Sequence, residues 1–444
     1  MPKKVPDCPM KPTPPQGAGK RLREYRIRLV TPMFGGGVDP GTPDRFHPIR
    51  ATAIRGQLQF WWRATRGATC QTIAELHERH ATVWGTTETA SPVEVRVTTE
   101  PVVVKPCARY GWSPAARGGQ GAHRLDWLPP FDRNPNLTYA LFPFQGQAPE
   151  GGQGTEPKKR PAEFIENASF TLALRFPENL RADVHMAVWA WVNFGGIGAR
   201  TRRGCGTLYC DELAPKSVAE MSGWLQANAG PTCPGERQWP TLPSWVAYRP
   251  EVGPSLDVWD WLMGFWKHFR QGEGFARNPG QQPNRPGRSR YPEPEAIRRI
   301  TRKRAPQHAR LPHIPDDAFP RAELGLPIVF HYQGRGEPGD TVLYPSAGAN
   351  KQPRDRMASP VILKPVAVGD GRTAVPLILC LNTSGLSGID LREGSTSLPL
   401  PTTVRVRAAY KGSPLEGLSA SGSTIEAFVA LAKHPDFGFQ EVTR

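Results

Sequence analysis

The spacing of hydrophobic residues divides the first half of the chain into short strands and two helices. Between residues 24 and 30, Tyr25, Ile27 and Leu29 alternate with arginines, which is the period of a half-buried strand. Similar patterns predict these elements: strand 24–30, helix 52–66, strands 93–97 and 101–104, strand 163–176, helix 181–193 and strand 207–210. In outline this is the strand, helix, strand, strand, helix, strand order of a ferredoxin-like or RRM-like domain, over residues 21–214.

The second half, residues 215–444, carries fewer regular patterns. Its predicted elements are an aromatic-faced helix at 256–269, strand-like runs at 326–332, 361–368, 375–381 and 403–408, and a final helix at 423–433. We therefore expect an α+β protein with tandem ferredoxin-like domains and long Arg/Pro/Gly-rich loop insertions.

Polar stretches separate these elements. The chain has 45 glycines and 49 prolines among 444 residues, so much of its length is expected to be loop. Residues 1–20 are predicted to be a disordered basic, proline-rich arm, and residues 109–160 to be mostly loop. The segment 270–310 has eleven basic residues against three acidic ones and few apolar ones. Since it can bury little of itself, we expect it to be mobile unless a polyanion binds it.

The net charge of the chain indicates which class of binding partner to expect. Lysine and arginine outnumber aspartate and glutamate by 56 to 40, a formal net charge of +16. Such a field attracts polyanions, of which nucleic acid is the commonest. An anionic membrane is the rival partner, but no run of about 18 apolar residues and no signal peptide is recognisable, so we expect a cytoplasmic protein without membrane contacts. The seven cysteines are scattered without a Cys-x-x-Cys pair, so no disulfide framework, zinc site or other cofactor is expected.

Residues 195–206, here called the Gly-Arg loop, combine five glycines with three arginines. Glycines permit a positive φ and close approach of the backbone to a ligand, and arginines offer planar forks of donors to phosphates. The alternative is a glycine-rich turn with solvated arginines. Thr201 stands where a dinucleotide-binding motif needs its third glycine, and no Lys-Ser/Thr pair makes a P-loop. The loop residues predicted to bind RNA are Gly196, Gly198, Arg200, Arg202, Arg203, Gly204 and Gly206.

The predicted helix 52–66 carries two stripes. Ile54 and Trp61 belong to an apolar stripe that should pack on a sheet, while Arg55 and Arg63 belong to a basic stripe about a third of a turn away. Spacing alone leaves a solvated face and phosphate binding equally open for these arginines. Together with Arg50, just before the helix, they complete the predicted RNA-binding residues.

Candidates for catalysis are few. His77 and His80 do not have the His-Glu-x-x-His spacing, and without a third ligand they are expected on a polar helix face. His47 lies in a loop where an RNA-cleaving protein could keep a general base, but nothing nearby in sequence would tune it. The acidic residues form no cluster that would hold magnesium. We therefore predict no catalytic residue and no metal site.

Three groups of residues, 31–36 with 49–50 and 54–63, then 196–206, and then 324–327 with 356–360, share one likeness. They resemble the RAMP superfamily of CRISPR effector proteins, in particular the family of the first-numbered RAMP subunit of the type III-B Cmr complex. In the Gly-Arg loop the glycines match, with the arginine displaced by one position. The resemblance implies two ferredoxin-like domains, contacts with guide or target RNA near the 3′ end of the guide, and assembly with other Cmr subunits. Target cleavage belongs to another subunit of that complex, so it implies no catalysis here.

The sequence thus predicts a non-catalytic RNA-binding subunit of a type III-B ribonucleoprotein effector of antiviral defence. Two alternatives remain open. One is a metal-independent endoribonuclease that processes guide RNA with His47 as acid/base. The other is a generic single-strand RNA binder with aromatic stacking platforms.

Overall fold

The computed structural model describes residues 19–39, 41–114, 121–228, 237–243, 245–280, 287–346, 355–386, 388–401 and 403–443. Within these ranges it is a mixed α/β protein built from antiparallel sheets. Residues 1–18 of the predicted arm lie outside the described residues, and Lys20 already belongs to the first strand. In the described ranges, no helix is both long and apolar enough to cross a membrane.

The described residues of the first half form nine strands and four helices. In chain order they are β1 (Lys20–Leu29), β2 (Met33–Phe34), α1 (Ala51–Ala64), α2 (Ile73–Trp84), β3 (Glu94–Thr99), β4 (Val104–Pro106), β5 (Ala108–Ser113), β6 (Ala122–Trp127), α3 (Leu137–Leu141), β7 (Glu163–Ile165), β8 (Ser169–Pro177), α4 (Arg181–Phe194) and β9 (Leu208–Tyr209).

The first sheet has the strand order β3, β8, β1, β9, and each neighbouring pair is antiparallel. The alternation predicted for β1 is confirmed, since Tyr25, Ile27 and Leu29 are buried and Arg26 is exposed. Buried residues of α1 and α4 share one hydrophobic core with this sheet. Trp62 lies within that core, where its indole Nε1 donates to Asp183 at 2.8 Å.

Other elements of this half differ from their prediction. The strand predicted over 163–176 is two strands, since β7 pairs with β2 and β4 in a small sheet while β8 joins the first sheet. The strand predicted at 101–104 is represented only by β4, and the loop predicted over 109–160 contains the β5–β6 hairpin and α3. These pieces are short, and long-range pairing rather than local periodicity selects them.

The described residues of the second half form another nine strands and four helices. They are α5 (Met221–Asn228), β10 (Trp245–Tyr248), β11 (Gly253–Pro254), α6 (Ser255–Gln271), α7 (Glu293–Thr301), β12 (Ile328–Phe330), β13 (Thr341–Pro345), β14 (Val361–Val368), β15 (Thr373–Cys380), β16 (Ile389–Glu393), β17 (Thr396–Leu398), α8 (Thr424–Lys433) and β18 (Gln440–Thr443).

The second large sheet has the strand order β14, β15, β10, β18, again antiparallel, with β11 paired to β15 on the side of β10. The predicted aromatic helix is α6, which buries Trp259, Trp266 and Phe269 in a core shared with this sheet and α8. The strands predicted at 361–368 and 375–381 are β14 and β15. The strand predicted at 403–408 is wrong for the described residues, where Arg405 forms only an isolated bridge with Ala318.

A third sheet, with the order β12, β13, β16, β17, is inserted between the elements of the second. It packs with α7 around a small core of its own. This insertion forms one wall of the site described below.

The basic segment 270–310 is described at residues 270–280 and 287–310. There it makes more internal contacts than its composition indicates. Ala296 and Ile297 of α7 are fully buried. The buried carboxylate of Glu295 accepts hydrogen bonds from Arg288 at 3.0 Å and Arg304 at 2.6 Å. The expectation that this segment cannot order itself by burial is therefore wrong for these residues, because two of its three acids, Glu293 and Glu295, are buried and compensate several arginines.

Candidate nucleic-acid interface

The Gly-Arg loop is packed against the protein's own backbone. A Cβ at Gly206 would overlap the carbonyl oxygen of Ile197, and one at Gly198 would overlap that of Phe34. Both glycines have a positive φ, 61° at Gly206 and 83° at Gly198, which L side chains rarely adopt. Their absence of a side chain is therefore required for the loop to close on itself and on β2, independently of any ligand.

The loop also joins the two halves of the molecule. The indole Nε1 of Trp259 on α6 donates to the carbonyl of Arg203 at 2.6 Å. The ammonium of Lys364 on β14 is fully buried and donates to the carbonyls of Val192, at 3.0 Å, and Gly195. A cation at these carbonyls satisfies the C-terminal end of α4, where the loop begins.

Two of the three loop arginines donate hydrogen bonds to carbonyls of the protein itself. Arg203 is only 9% exposed, donates to the carbonyl of Val361 at 2.7 Å, and stacks over Trp266 with its Cζ 4.4 Å from the ring centroid. The pKa of Arg203 is lowered to about 9, first by burial and then by the charges of Arg270 and Arg200. Arg202 donates to the carbonyl of Ser359, and its guanidinium lies 5.7 Å from the ring centroid of Phe60. These two were predicted as phosphate ligands, but their geometry is that of internal cross-links.

Arg200 is placed differently. Its backbone is left-handed, with φ 57°, and its half-buried side chain lines a large cleft. Its Nε is buried without a hydrogen-bond partner among the described residues. Burial lowers the pKa of Arg200, and Arg270 lowers it further. The side chain reaches the cleft without an ion-pair partner among the described residues.

The cleft has a volume of ≈ 1940 Å³ and is bordered by the Gly-Arg loop, α6 and the inserted sheet. Among the described residues, nine arginine or lysine side chains line it against one carboxylate, that of Glu295. The basic residues are Arg200, Arg203, Lys267, Arg270, Arg277, Arg288, Arg298, Arg321 and Arg356. Such an imbalance in a concave site raises the local concentration of anions.

Part of this charge is compensated internally and part is not. Arg288, Arg298 and Arg321 form ion pairs with Glu295, Glu337 and Glu293 at 2.7 to 3.1 Å. The other lining cations, apart from the buried Arg203, form no ion pair with a described carboxylate. They are Arg200, Lys267, Arg270, Arg277 and Arg356. We call these five the cleft cations. Of them only Arg200 was predicted, although the basic turn at the end of the aromatic helix 256–269 was a usable signal.

Aromatic side chains interleave with these cations. They are Trp127, Tyr139, Phe142, Trp266, Phe330 and Tyr332. Phe142 is 60% exposed, so its ring is accessible from the cleft. Cations with accessible aromatic faces are the chemistry by which proteins hold single-stranded nucleic acid.

The predicted arginines of α1 lie elsewhere. Arg55 donates to the carbonyl of Val93 at 3.1 Å and to that of Trp84, the last residue of α2. Arg63 lies against α2 with its Nη1 3.4 Å from the Nε2 of His80. Arg50 is exposed at the N-terminal end of α1. None of the three lines the cleft, so the structure does not bring them together with the cleft cations.

The histidines considered for catalysis or metal binding, His47, His77 and His80, also do not line the cleft. His47 is exposed, and its backbone amide donates to the carboxylate of Asp44 at 2.8 Å. His77 and His80 lie on α2, and the pKa of His80 is lowered to about 4, first by burial and then by the charges of Arg63 and His77. In the part of the chain that the structure describes, no three His, Cys, Asp or Glu side chains form a group that could hold a metal ion.

The stretches that carried the sequence resemblance converge on the Gly-Arg loop. The amide of Ala199 donates to the carbonyl of Phe34 at 2.8 Å, and that of Gly206 donates to the carbonyl of Pro32 at 2.9 Å. Arg202 reaches the C-terminal stretch at Ser359. Sequence segments far apart in the chain therefore form one structural unit at the edge of the cleft.

Comparison with known proteins finds one family model and several solved structures that are similar to this chain. The RAMP superfamily model matches residues 26–209. Cmr1 from Pyrococcus furiosus, in an apo crystal structure, is 18% identical over 83% of this chain and 90% of that chain, with a TM-score of 0.41. A chain of the type III-B Cmr-β complex bound to cognate target RNA is 11% identical over 82% of this chain and 94% of that chain, with a TM-score of 0.46.

No curated protein matches the chain. The family match nevertheless confirms the resemblance expected from the sequence signatures, and it covers β1, α1, α4 and the Gly-Arg loop. Residues 26–209 thus match the RAMP superfamily.

Proposed function

We propose that this chain is a non-catalytic RNA-binding subunit of a type III-B CRISPR effector complex, and that its basic cleft holds RNA phosphates. The observation that carries the proposal is the set of cleft cations, which have aromatic neighbours and no described carboxylate partner. Burial lowers the pKa of Arg277, and the charge of Arg321 lowers it further, so gathering these cations costs free energy that bound phosphates would offset.

The sequence signatures support the wider context. They resemble those of Cmr subunits, so we propose that the chain assembles with other Cmr subunits on guide or target RNA. The two large sheets share one strand order, with helices α1 and α4 in the first unit and α6 and α8 in the second. That repetition supports two ferredoxin-like units, with the cleft bordered by the loop at their junction.

The test removes three charges from the cleft. In the full chain, Arg200→Gln, Arg270→Gln and Arg277→Gln together should weaken binding of a single-stranded RNA. The slope of log affinity against log salt should fall by about 2, because each lost phosphate contact removes about 0.7 of a released counterion on single strands. Fluorescence anisotropy titrations at several salt concentrations give the slope.

The matched control removes three exposed arginines from the first sheet, Arg26→Gln, Arg96→Gln and Arg175→Gln. It changes the net charge equally, so the salt slope should stay near the wild-type value if the cleft is the binding site. An unchanged slope in the cleft variant, or an equal loss in both variants, would contradict the proposal.

The proposal that the chain does not cleave RNA needs its own test. The carboxylate of Asp44 already accepts the amides of Phe46, at 2.9 Å, and His47, at 2.8 Å, so it is not available to orient the His47 ring through that oxygen. Repeat-containing RNA incubated with the full chain in EDTA should remain intact. Site-specific cleavage that disappears in His47→Ala would favour the endoribonuclease instead.

A further inference from the structure

A second cavity, of ≈ 740 Å³, adjoins the basic cleft at the segment 356–360. Arg356 and Met357 line both cavities. The segment is held in place, since the amide of Met357 donates to the carbonyl of Leu326 at 3.0 Å and Arg202 donates to that of Ser359. The volume lies within the range of about 300–1,000 Å³ that is usual for small-molecule sites.

Apolar side chains, two of them tryptophans, form about half of the exposed wall of this second cavity. Its aromatic and aliphatic lining residues are Trp239, Trp245, Met357, Leu381, Leu386, Ile425 and Val429. Trp245 is half-buried on β10, so part of its ring faces outward from the core. The wall therefore favours a flat occupant that can stack.

Most charged side chains that line the second cavity form hydrogen bonds or ion pairs within the protein. The carboxylate of Glu323 accepts from the amide of Thr424 at 2.6 Å, that of Glu426 accepts from Ser421 at 2.6 Å, and that of Glu441 pairs with Lys433. Arg356 is exposed and has no hydrogen bond or ion pair with the described residues. An occupant is therefore expected to carry negative charge beside Arg356.

We propose that the second cavity is a subsite for one nucleobase of an RNA whose phosphate is bound at Arg356. This rests on the proposed function, because the same RNA must lie in the basic cleft. Continuity of the two cavities at Arg356 lets a strand keep its phosphates among the cleft cations while one base turns into the apolar cavity. Bases turned out of a single strand stack on aromatic side chains in this way.

The test uses a short single-stranded RNA and a series of derivatives, each with one abasic position. With the full wild-type chain, one abasic position should lower the affinity about tenfold, as expected for loss of one stacked base. Ala430→Trp places an indole in the cavity from the surface of α8, where Ala430 is half-buried. That variant should bind intact and abasic RNA equally, with the wild-type salt slope.

Two further variants keep the result interpretable. Trp245→Leu removes a stacking platform and should also abolish the abasic difference, which covers the case in which Ala430→Trp does not fold. Ile73→Trp adds an indole on α2, away from both cavities, and should preserve the difference.

The outcomes separate this inference from the proposed function. An affinity that is insensitive to every abasic position overturns the inference while leaving the salt-dependent binding intact. A difference that survives in Ala430→Trp and Trp245→Leu also overturns it, because the base would then stack outside this cavity. Absence of salt-dependent RNA binding in the wild-type chain removes both the proposed function and this inference.

Discussion

At the scale of the residue, the surroundings of an arginine decide its role more than the motif in which it stands. Arg200 and Arg203 belong to the same loop, and both were predicted to bind RNA. Arg203 is enclosed and bonded to Val361, whereas Arg200 keeps an unpaired Nε in the cleft. Three residues of separation in a tight loop are enough to turn one guanidinium inward and the other towards a ligand.

Arg55 is expected to act in stability and not in RNA binding. Arg55→Met leaves the carbonyl of Trp84 without its side-chain donor and that of Val93 with only the Ser91 hydroxyl, so the free energy of unfolding should fall by about 1–3 kcal/mol. The salt slope of RNA binding should stay unchanged. Urea denaturation and anisotropy titration measure the two quantities, and reduced RNA binding at wild-type stability would restore the phosphate-binding prediction.

His80 predicts a dependence of stability on pH. Its pKa is lowered from 6.5 to about 4, first by burial and then by Arg63. Between these values the unfolded chain binds a proton that the folded chain does not, so stability is lost as the pH falls from 6.5 to about 4. Partial solvent screening limits the loss to an order of 1–2 kcal/mol. His80→Gln should show a smaller decrease over this range by urea denaturation; an identical pH profile would contradict the assignment.

At the scale of the element, the Gly-Arg loop is a close-packed structural piece as well as a candidate binding loop. Gly206→Ala would force a Cβ against the carbonyl of Ile197 at a positive φ. We expect a loss of about 2–4 kcal/mol in the free energy of unfolding. Gly56→Ala, on the exposed side of α1 with nothing within 4 Å of the new Cβ, should raise stability by about 0.5–1 kcal/mol. Equal effects of the two substitutions would show that the loop is not packed as described.

Elements with strong local periodicity were predictable from the sequence. β1 alternates over residues 25–29, and α1 and α6 repeat large apolar residues at helical spacing, so each was predicted, although β1 begins four residues earlier than expected. β5 and β6 were not, because their residues are only half-buried and pair with each other rather than with a core. The split between β7 and β8 depends on which sheet each strand joins, and that choice involves partners far away in the chain.

At the scale of the whole molecule, the cleft exists because the insertion stands opposite the Gly-Arg loop and α6. The insertion in turn depends on buried carboxylates that gather arginines around themselves. Glu295 is within ion-pair distance of Arg288, Arg299 and Arg304. Its few acids therefore decide which arginines remain available to a ligand.

Glu295→Gln should loosen the insertion. Three guanidinium groups would lose their common countercharge in a buried place, which we expect to cost about 3 kcal/mol locally. Limited trypsin digestion should then cleave faster within residues 302–310, while the first sheet stays protected in hydrogen exchange. Glu100→Gln, an exposed control, should digest like the wild-type chain. Unchanged digestion of Glu295→Gln would mean that these ion pairs do not hold the insertion.

By itself the sequence determined the features that depend on neighbouring residues: the alternation of β1, the helical faces of α1 and α6, the excess of positive charge and the signatures of the RAMP superfamily. Tertiary structure alone decided which cations line the cleft without a carboxylate partner among the described residues. Whether an arginine finds a carboxylate, a carbonyl or open solvent is set by contacts across long stretches of chain, such as Arg203 with Val361 or Arg321 with Glu293. The composition does not distinguish one positive charge from another. In the folded chain, only some of the described cations lack an ion-pair partner.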